Sequence, residues 1–316
     1  MTSVLRVLFR IALLAAIGTG AWLSRDSPLL RFATASVAGS SPHQQFVAQL
    51  GRSGVSETPL GRAWIASASS AVADAQPVPS SVNRTMTIAA ERPVALAYLV
   101  TLKRGQLVDI RATLRSAAPA QTFIDVFPTD QSMATSLGGG LGALQFEAHA
   151  DRRVIVRIQP ELLRSGTLTI ATRVLPAFLF PVALATARNL QSEFGVDRDG
   201  GRRQHEGVDI FAKRGTEVLS ASGGLVTRVN ETAIGGRVVW VWDSARALSV
   251  YYAHLDQQLV SVGTRMRPGD VLGTVGNTGN ARTTSPHLHF GLYERGTGAI
   301  DPEAFIRADP AHGKAR

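Results

Sequence analysis

The sequence predicts a mainly β protein: a carboxy-terminal domain built on an antiparallel β-sheet, preceded by a β-sandwich domain and a short helical hairpin. Three observations predict it. Val, Leu and Ile fall in short runs bounded by Gly and Pro, the pattern of strands and turns. Long stretches between residues 85 and 176 alternate apolar and polar side chains with a period of two, which puts one set on one sheet face. Only before them do apolar residues four apart mark helices, Phe46 with Leu50 and Leu60 with Trp64. With 316 residues, 45% of them apolar, the chain has room for two or more buried cores.

The elements follow in order. Arg6 and Arg10 precede the uncharged run from Ile11 to Leu23. That run is short for a membrane span, which needs about 20 residues, and suits the core of a signal peptide. Residues 1–33 are therefore expected to export the chain to the periplasm or cell envelope. No clean Ala-x-Ala site follows, so an uncleaved anchor in the inner membrane is the alternative. Ser41-Pro42 and Thr58-Pro59 pair a capping residue with a first-turn proline, which predicts helices over 42–53 and 59–75 in a hairpin spanning 41–76. Residues 76–81 (QPVPSS) read as a linker. Over 85–176, Leu96, Tyr98, Val100 and Leu102 form one stripe, and Val108, Ile110, Ala112 and Leu114 the next across a turn at Lys103–Gln106. Further runs at this spacing complete the expected antiparallel sandwich, with Gly138–Gly140 as a loop. In the domain expected over 177–308, residues 218–226 read as two strands around a tight turn, and Arg267-Pro268-Gly269-Asp270 starts another turn and strand. A tail of residues 309–316 ends the chain.

Charge and composition narrow the partners. The net charge is +9. Residues 1–179 hold 17 basic against 10 acidic side chains, and residues 180–316 hold 16 against 14. The basic excess suits an anionic wall or membrane surface. Lys/Arg runs with interleaved aromatics are lacking, which argues against nucleic acid. Cysteine is absent, so disulfides, thiolate ligands and a lipoprotein cysteine anchor are excluded.

Chemistry concentrates late in the chain, in three short motifs: His205 and Asp209 in QHEGVD, His254 in YAHL, and His287 and His289 in PHLHF. In a strand, His287 and His289 project from one face, with Leu288, Phe290 and Leu292 on the other. His205 and Asp209 lie four apart with Gly207 between them to let the backbone turn. Imidazole and carboxylate are zinc ligands, and three of them leave an open position for water, as catalytic sites do. Zinc would bring that water's pKa to about 7. The remaining imidazoles are available for proton transfer or for a hydrogen bond to a developing oxyanion. His254 is placed on the strand face of Val250 and Tyr252. His43, His149 and His312 have no such company and read as structural or solvated.

The segment from Phe180 to Ile306 resembles the lysostaphin/LytM-type zinc metallopeptidases, which cut peptide bonds in bacterial peptidoglycan. The resemblance is carried by GVDIFA (207–212), YAHLD (252–256), GTVGNTG (273–279) and TSPHLHFG (284–291). It implies a lysostaphin-like fold, with His205, Asp209 and His289 as Zn2+ ligands and His254 and His287 as unligated catalytic residues. The sandwich resembles the pre-peptidase modules of secreted bacterial proteases. Glycine-bounded turns at 223–224 and 269 also suggest a biotin- or lipoyl-carrying hammerhead, but the lysine such a domain displays at a hairpin tip is missing. The expected function is an exported zinc endopeptidase acting on peptidoglycan peptide cross-links, with Trp240, Trp242, Tyr251 and Tyr252 available to line its groove. His287 is the expected base, His254 the oxyanion stabiliser and Glu206 the rival base. The alternatives are a wall-binding regulator that activates a separate amidase, its own site silent or covered by the sandwich, and a peptidase acting on proteins.

Overall fold

The computed structural model describes residues 40–129, 136–198 and 200–307. The expected export segment, the tail and His312 lie outside the described residues. Among those residues no helix is long and apolar enough to cross a membrane. Contacts divide the chain into two compact units. The first comprises the described residues up to Leu102, with Val108–Phe146 and Arg152–Arg173. The second comprises Lys103–Leu107, Glu147–Asp151 and the residues from Val174 on.

The first unit opens with two capped helices. α1 (Pro42–Arg52) starts at a capping box: the Gln44 amide donates to Ser41 Oγ, and the Ser41 amide donates to Gln44 Oε1. α2 (Pro59–Ala73) is capped by Thr58, whose Oγ1 accepts from the Gly61 amide. Their apolar faces bury Leu50 and Trp64 together with Phe123 and Leu162. The Trp64 indole N–H finds the Pro160 carbonyl at 2.9 Å, so the largest buried side chain here leaves no donor unpaired. Removing it would cost about 3–5 kcal/mol.

Nine strands follow: β1 (Gln76–Pro77), β2 (Ser81–Ile88), β3 (Leu96–Leu102), β4 (Gln106–Arg115), β5 (Thr122–Pro128), β6 (Gly138–Leu141), β7 (Ala143–Glu147), β8 (Arg152–Pro160) and β9 (Gly166–Pro176). They form two sheets, ordered β1-β3-β8-β5-β6 and β2-β9-β4-β7. The expected stripe Val108, Ile110, Ala112 and Leu114 is buried along β4. β5 is buried on both faces, because Phe123 packs under the helices and Phe127 against Val72.

Two sequence expectations need correction here. Gly138–Gly140 is strand rather than loop, pairing with Asp125 and its neighbours. A Cβ on Gly139 would meet Ser41 Cβ at 2.7 Å, and one on Gly140 the Ala143 carbonyl at 2.5 Å, so these glycines serve close approach. Gln76–Pro77, read as linker, adds parallel to β3; proline is tolerated there because β1 is an edge strand.

The second unit contains β10 (Leu190–Ser192), β11 (Asp197–Arg198), β12 (Arg203–Gln204), β13 (Val208–Phe211), β14 (Glu217–Leu219), β15 (Gly224–Thr232), β16 (Gly236–Asp243), β17 (Leu248–Gln258), β18 (Arg265–Met266), β19 (Val271–Val275), β20 (His287–Glu294), β21 (Gly298–Ile300) and a short helix, α3 (Glu303–Ile306). Its main sheet runs β10-β13-β20-β17-β16-β15-β18, with β19 on β17, β14 on β19 and β21 on β20. One face of the central strands is core: Val208, Ile210, Val250, Tyr252, Leu288, Phe290 and Leu292 are each at most 1% exposed. The expected hairpin around Gly223–Gly224 does not form. β14 pairs with β19 and β15 with β16 and β18, because the buried Ser220–Ser222 segment leads the chain from one pairing to the other.

Candidate metal centre

Register brings the motifs together. β13 and β20 run antiparallel with Asp209 opposite His289 and Phe211 opposite His287, so all four side chains leave the same face. Directly opposed side chains have Cβ atoms about 5 Å apart, close enough to share one ion. β17 lies on the other side of β20, with Ala253 opposite His289, and this carries His254 to the same place. His205 arrives on the segment between β12 and β13, fixed by its amide to the Val196 carbonyl and its carbonyl to the Gly195 amide.

Three donor atoms converge. His205 Nε2 lies 3.0 Å from Asp209 Oδ1 and 3.0 Å from His289 Nδ1, and the last two are 3.1 Å apart. His205 Nδ1 is 2.7 Å from the Glu193 carbonyl, which can only accept, so a neutral His205 presents a bare Nε2 to the other two atoms. Neutral rings then supply at most one proton to the whole triangle. A divalent cation satisfies all three atoms at once. Ligands held about 2.0–2.1 Å from zinc at tetrahedral angles stand about 3.3 Å apart, close to the observed edges. His205, Asp209 and His289 are accordingly a group that could hold a metal ion, and their donor set fits zinc.

The surroundings orient this group. Asp209 Oδ2 accepts from Arg198 Nη2 at 2.7 Å, and the same nitrogen reaches Ser192 Oγ at 2.6 Å. Burial opposes ionisation of Asp209, but the adjoining His205 and His289 rings hold its carboxyl well below the usual range. Burial likewise lowers His289 against the opposing pull of Asp209.

His254 and His287 sit beside the triangle, outside it. His287 Nδ1 donates to the Ser285 carbonyl at 2.8 Å, leaving Nε2 4.0 Å from Asp209 Oδ1. His254 Nδ1 donates to the Thr278 carbonyl at 2.9 Å, and its ring lies 5.0 Å from that of His287. Burial, then the charges of His287 and His289, lowers His254 to about 4. Simple alternation places His254 on the core face with Val250 and Tyr252. Instead its φ of 60° breaks the period and turns the ring toward His287. A left-handed histidine costs about 1–3 kcal/mol, a strain typical of functional positions.

Gly207 also differs from expectation. Its φ is not positive, so it is not needed for the turn. It is needed for space: a Cβ there would meet the Phe290 carbonyl at 2.4 Å and the His289 ring at 2.8 Å.

Residues 203–302 match the family model described as Peptidase family M23. This segment is a peptidase family M23 domain. The chain is 35% identical over 140 residues to the L-Ala--D-Glu endopeptidase of Bacillus subtilis (strain 168), which covers 41% of this chain and 43% of that protein. It is 34% identical over 107 residues to the peptidoglycan DD-endopeptidase ShyC of Vibrio cholerae, covering 33% and 24%, and 33% identical over 109 residues to the glycyl-glycine endopeptidase ALE-1 of Staphylococcus capitis, covering 33% and 29%. The chain thus spans less than half the length of each of these relatives. Among solved structures it is similar to LytU, at 33% identity over 37% of this chain and 83% of that one, with a TM-score of 0.35. The catalytic domain of lysostaphin from Staphylococcus simulans is 29% identical over 37% and 92%, with a TM-score of 0.34.

Around the M23 motifs the sequence alone left several contributors unnamed. Arg198 is one, its role visible only once β11 lies beside Asp209. Backbone carbonyls of Glu193, Thr278 and Ser285 are others, and no side-chain motif announces them. Tyr252, offered as a groove residue, is fully buried, and its hydroxyl accepts from the Ala221 amide.

Proposed function

We propose that this protein is a zinc-dependent endopeptidase that hydrolyses peptide bonds in bacterial cell-wall peptidoglycan. The observation that carries the proposal is the triangle of His205, Asp209 and His289 donors, with two further imidazoles presenting Nε2 beside it. In our reading His205, Asp209 and His289 hold the zinc, and His254 and His287 stay unligated. Zinc bound there supplies a Lewis acid for the scissile carbonyl and acidifies water to a pKa of about 7. His287 takes the proton: Ser285 holds Nδ1–H, so Nε2 enters the reaction as an acceptor. His254 faces the developing oxyanion. Its Nδ1–H is committed to Thr278, so it can donate there only when Nε2 also carries a proton. The protonated His287 then delivers its proton to the leaving amine.

The peptide cross-links of the wall are the proposed substrate because one relative above is named a peptidoglycan DD-endopeptidase and the other two an L-Ala--D-Glu and a glycyl-glycine endopeptidase. Digesting purified sacculi and identifying the released fragments by mass tests this. Cleavage at a peptide bond, abolished by a chelator and restored by zinc, is expected; intact sacculi, or cleavage that a chelator leaves untouched, overturn it.

A further inference from the structure

On the sheet face that carries the donors, three aromatic rings run away from His289. Tyr251 meets the His289 ring edge-on at 5.9 Å, Trp240 lies 4.3 Å from Tyr251, and Tyr293 lies 5.1 Å from Trp240 and 6.0 Å from Tyr251. All three are only part-buried, on the face opposite the core, so the packing that explains Tyr252 and Phe290 does not explain them. Glu206, exposed and one residue beyond His205, accepts a hydrogen bond from the Tyr293 hydroxyl at 3.1 Å. Gly291 leaves room for this pair. A Cβ there would lie 3.0 Å from Tyr293 Cε2 and 3.1 Å from the Glu206 carbonyl. At the outer end the Arg228 guanidinium already stands 5.9 Å from the Trp240 ring, so one cation uses this aromatic group within the chain itself.

A carboxylate hydrogen-bonded to one member of a part-buried aromatic cluster is a site for a cation. The carboxylate supplies the charge, and the rings add their quadrupoles while excluding water. We propose that Glu206, Tyr251 and Tyr293 form a subsite for an ammonium group on the peptide substrate, the free side-chain amine of a diamino acid residue, and that it selects which peptides are cut. The proposal rests on the peptide-hydrolase reading above and deepens it. It also gives Glu206 a task other than base: its carboxylate is held by Tyr293 and makes no hydrogen bond to any of the three donors. Burial and the charge of Glu206 push the pKa of the Tyr293 hydroxyl up, which keeps it a donor at working pH.

Two short peptides test this, alike in sequence around one lysine, with the side-chain amine free in one and acetylated in the other. Their binding to the zinc-loaded protein is measured by calorimetry, and their cleavage by mass. The free-amine peptide is expected to bind about tenfold more tightly. Glu206→Gln should weaken that peptide alone, bringing the two within about twofold, and Tyr293→Phe should give a partial loss. Equal or absent binding of both peptides by the unsubstituted protein, or a preference that survives Glu206→Gln, overturns the subsite. Binding is read apart from cleavage: a preference without cleavage by any protein tested overturns the hydrolase reading and leaves the subsite standing.

Discussion

Gly207→Ala is the sharpest probe of how the candidate metal centre is built. The added Cβ would lie 2.4 Å from the Phe290 carbonyl and 2.8 Å from His289 Cε1 and Nε2, where ordinary contact starts at 3.4 Å. The first overlap, about 1 Å, is with backbone inside the β13–β20 ladder and cannot be relieved by a rotamer change. Relief must come from parting Val208 from Phe290 or from swinging the His289 ring. Overpacking of this kind costs about 1–3 kcal/mol. For a unit of this size about 2 kcal/mol lowers its melting transition by about 4–8 °C. A displaced His289 should also weaken zinc about 10–100-fold, as losses of ligand orientation do. Calorimetric melting with zinc and with a chelator separates the two effects: the chelated protein should melt earlier than its unsubstituted counterpart, and the extra stability conferred by zinc should shrink. Unchanged melting and zinc affinity would refute the steric account, and with it the reason given for a glycine at this position.

The other expectations are shorter. His289→Ala or Asp209→Ala should lose most bound zinc by metal analysis, because two ligands hold it far more weakly than three; full occupancy in both would remove the ligand assignment. His287→Ala should keep its zinc and lose activity by about 100-fold or more, read as kcat on sacculi or a cleaved peptide; retained turnover would take the base role from it. Gly51→Ala, in α1 with nothing within 4 Å of the new Cβ and no positive φ, should stabilise the first unit by about 0.5–1 kcal/mol, and a fall in stability would contradict this. His43, lowered from 6.5 to about 4 by burial and then by Arg157, holds its proton less well folded than unfolded. The first unit should therefore lose up to about 3 kcal/mol as pH falls from 6.5 to 4, and denaturant titrations of His43→Gln should show a flatter slope over that window.

Elements whose periodicity is local were legible in the sequence. Capping residues at Ser41 and Thr58 with prolines behind them mark both helices, since every interaction that starts them lies within four residues. The stripe along β4 and the alternation of His287, Leu288, His289 and Phe290 are equally local. What the sequence hid depends on remote partners. Gly138–Gly140 looks like a loop until Asp125 supplies the pairing. Residues 218–226 look like a hairpin until β19 claims one flank and β16 the other. Pairing between distant strands has no signature in the residues of one strand alone.

The site divides along the same line. Its donor residues could be named because histidine spacing and an aspartate four residues from His205 are local facts, and the family resemblance added their roles. Their orientation could not be read. It is set by carbonyls of Glu193, Thr278 and Ser285, by Arg198, and by a left-handed residue at His254. Position 254 shows the difference most clearly. Alternation from Val250 and Tyr252 sends its side chain into the core, where a histidine would need a partner for each nitrogen. Breaking the period costs backbone strain, about 1–3 kcal/mol, which the strand can bear because Val250, Tyr252 and Leu255 on either side are fully buried. What that strain secures is an imidazole 5.0 Å from His287, with Nδ1 tied to the Thr278 carbonyl. A residue that violates its own strand's pattern therefore marks the candidate site more sharply than those that keep it.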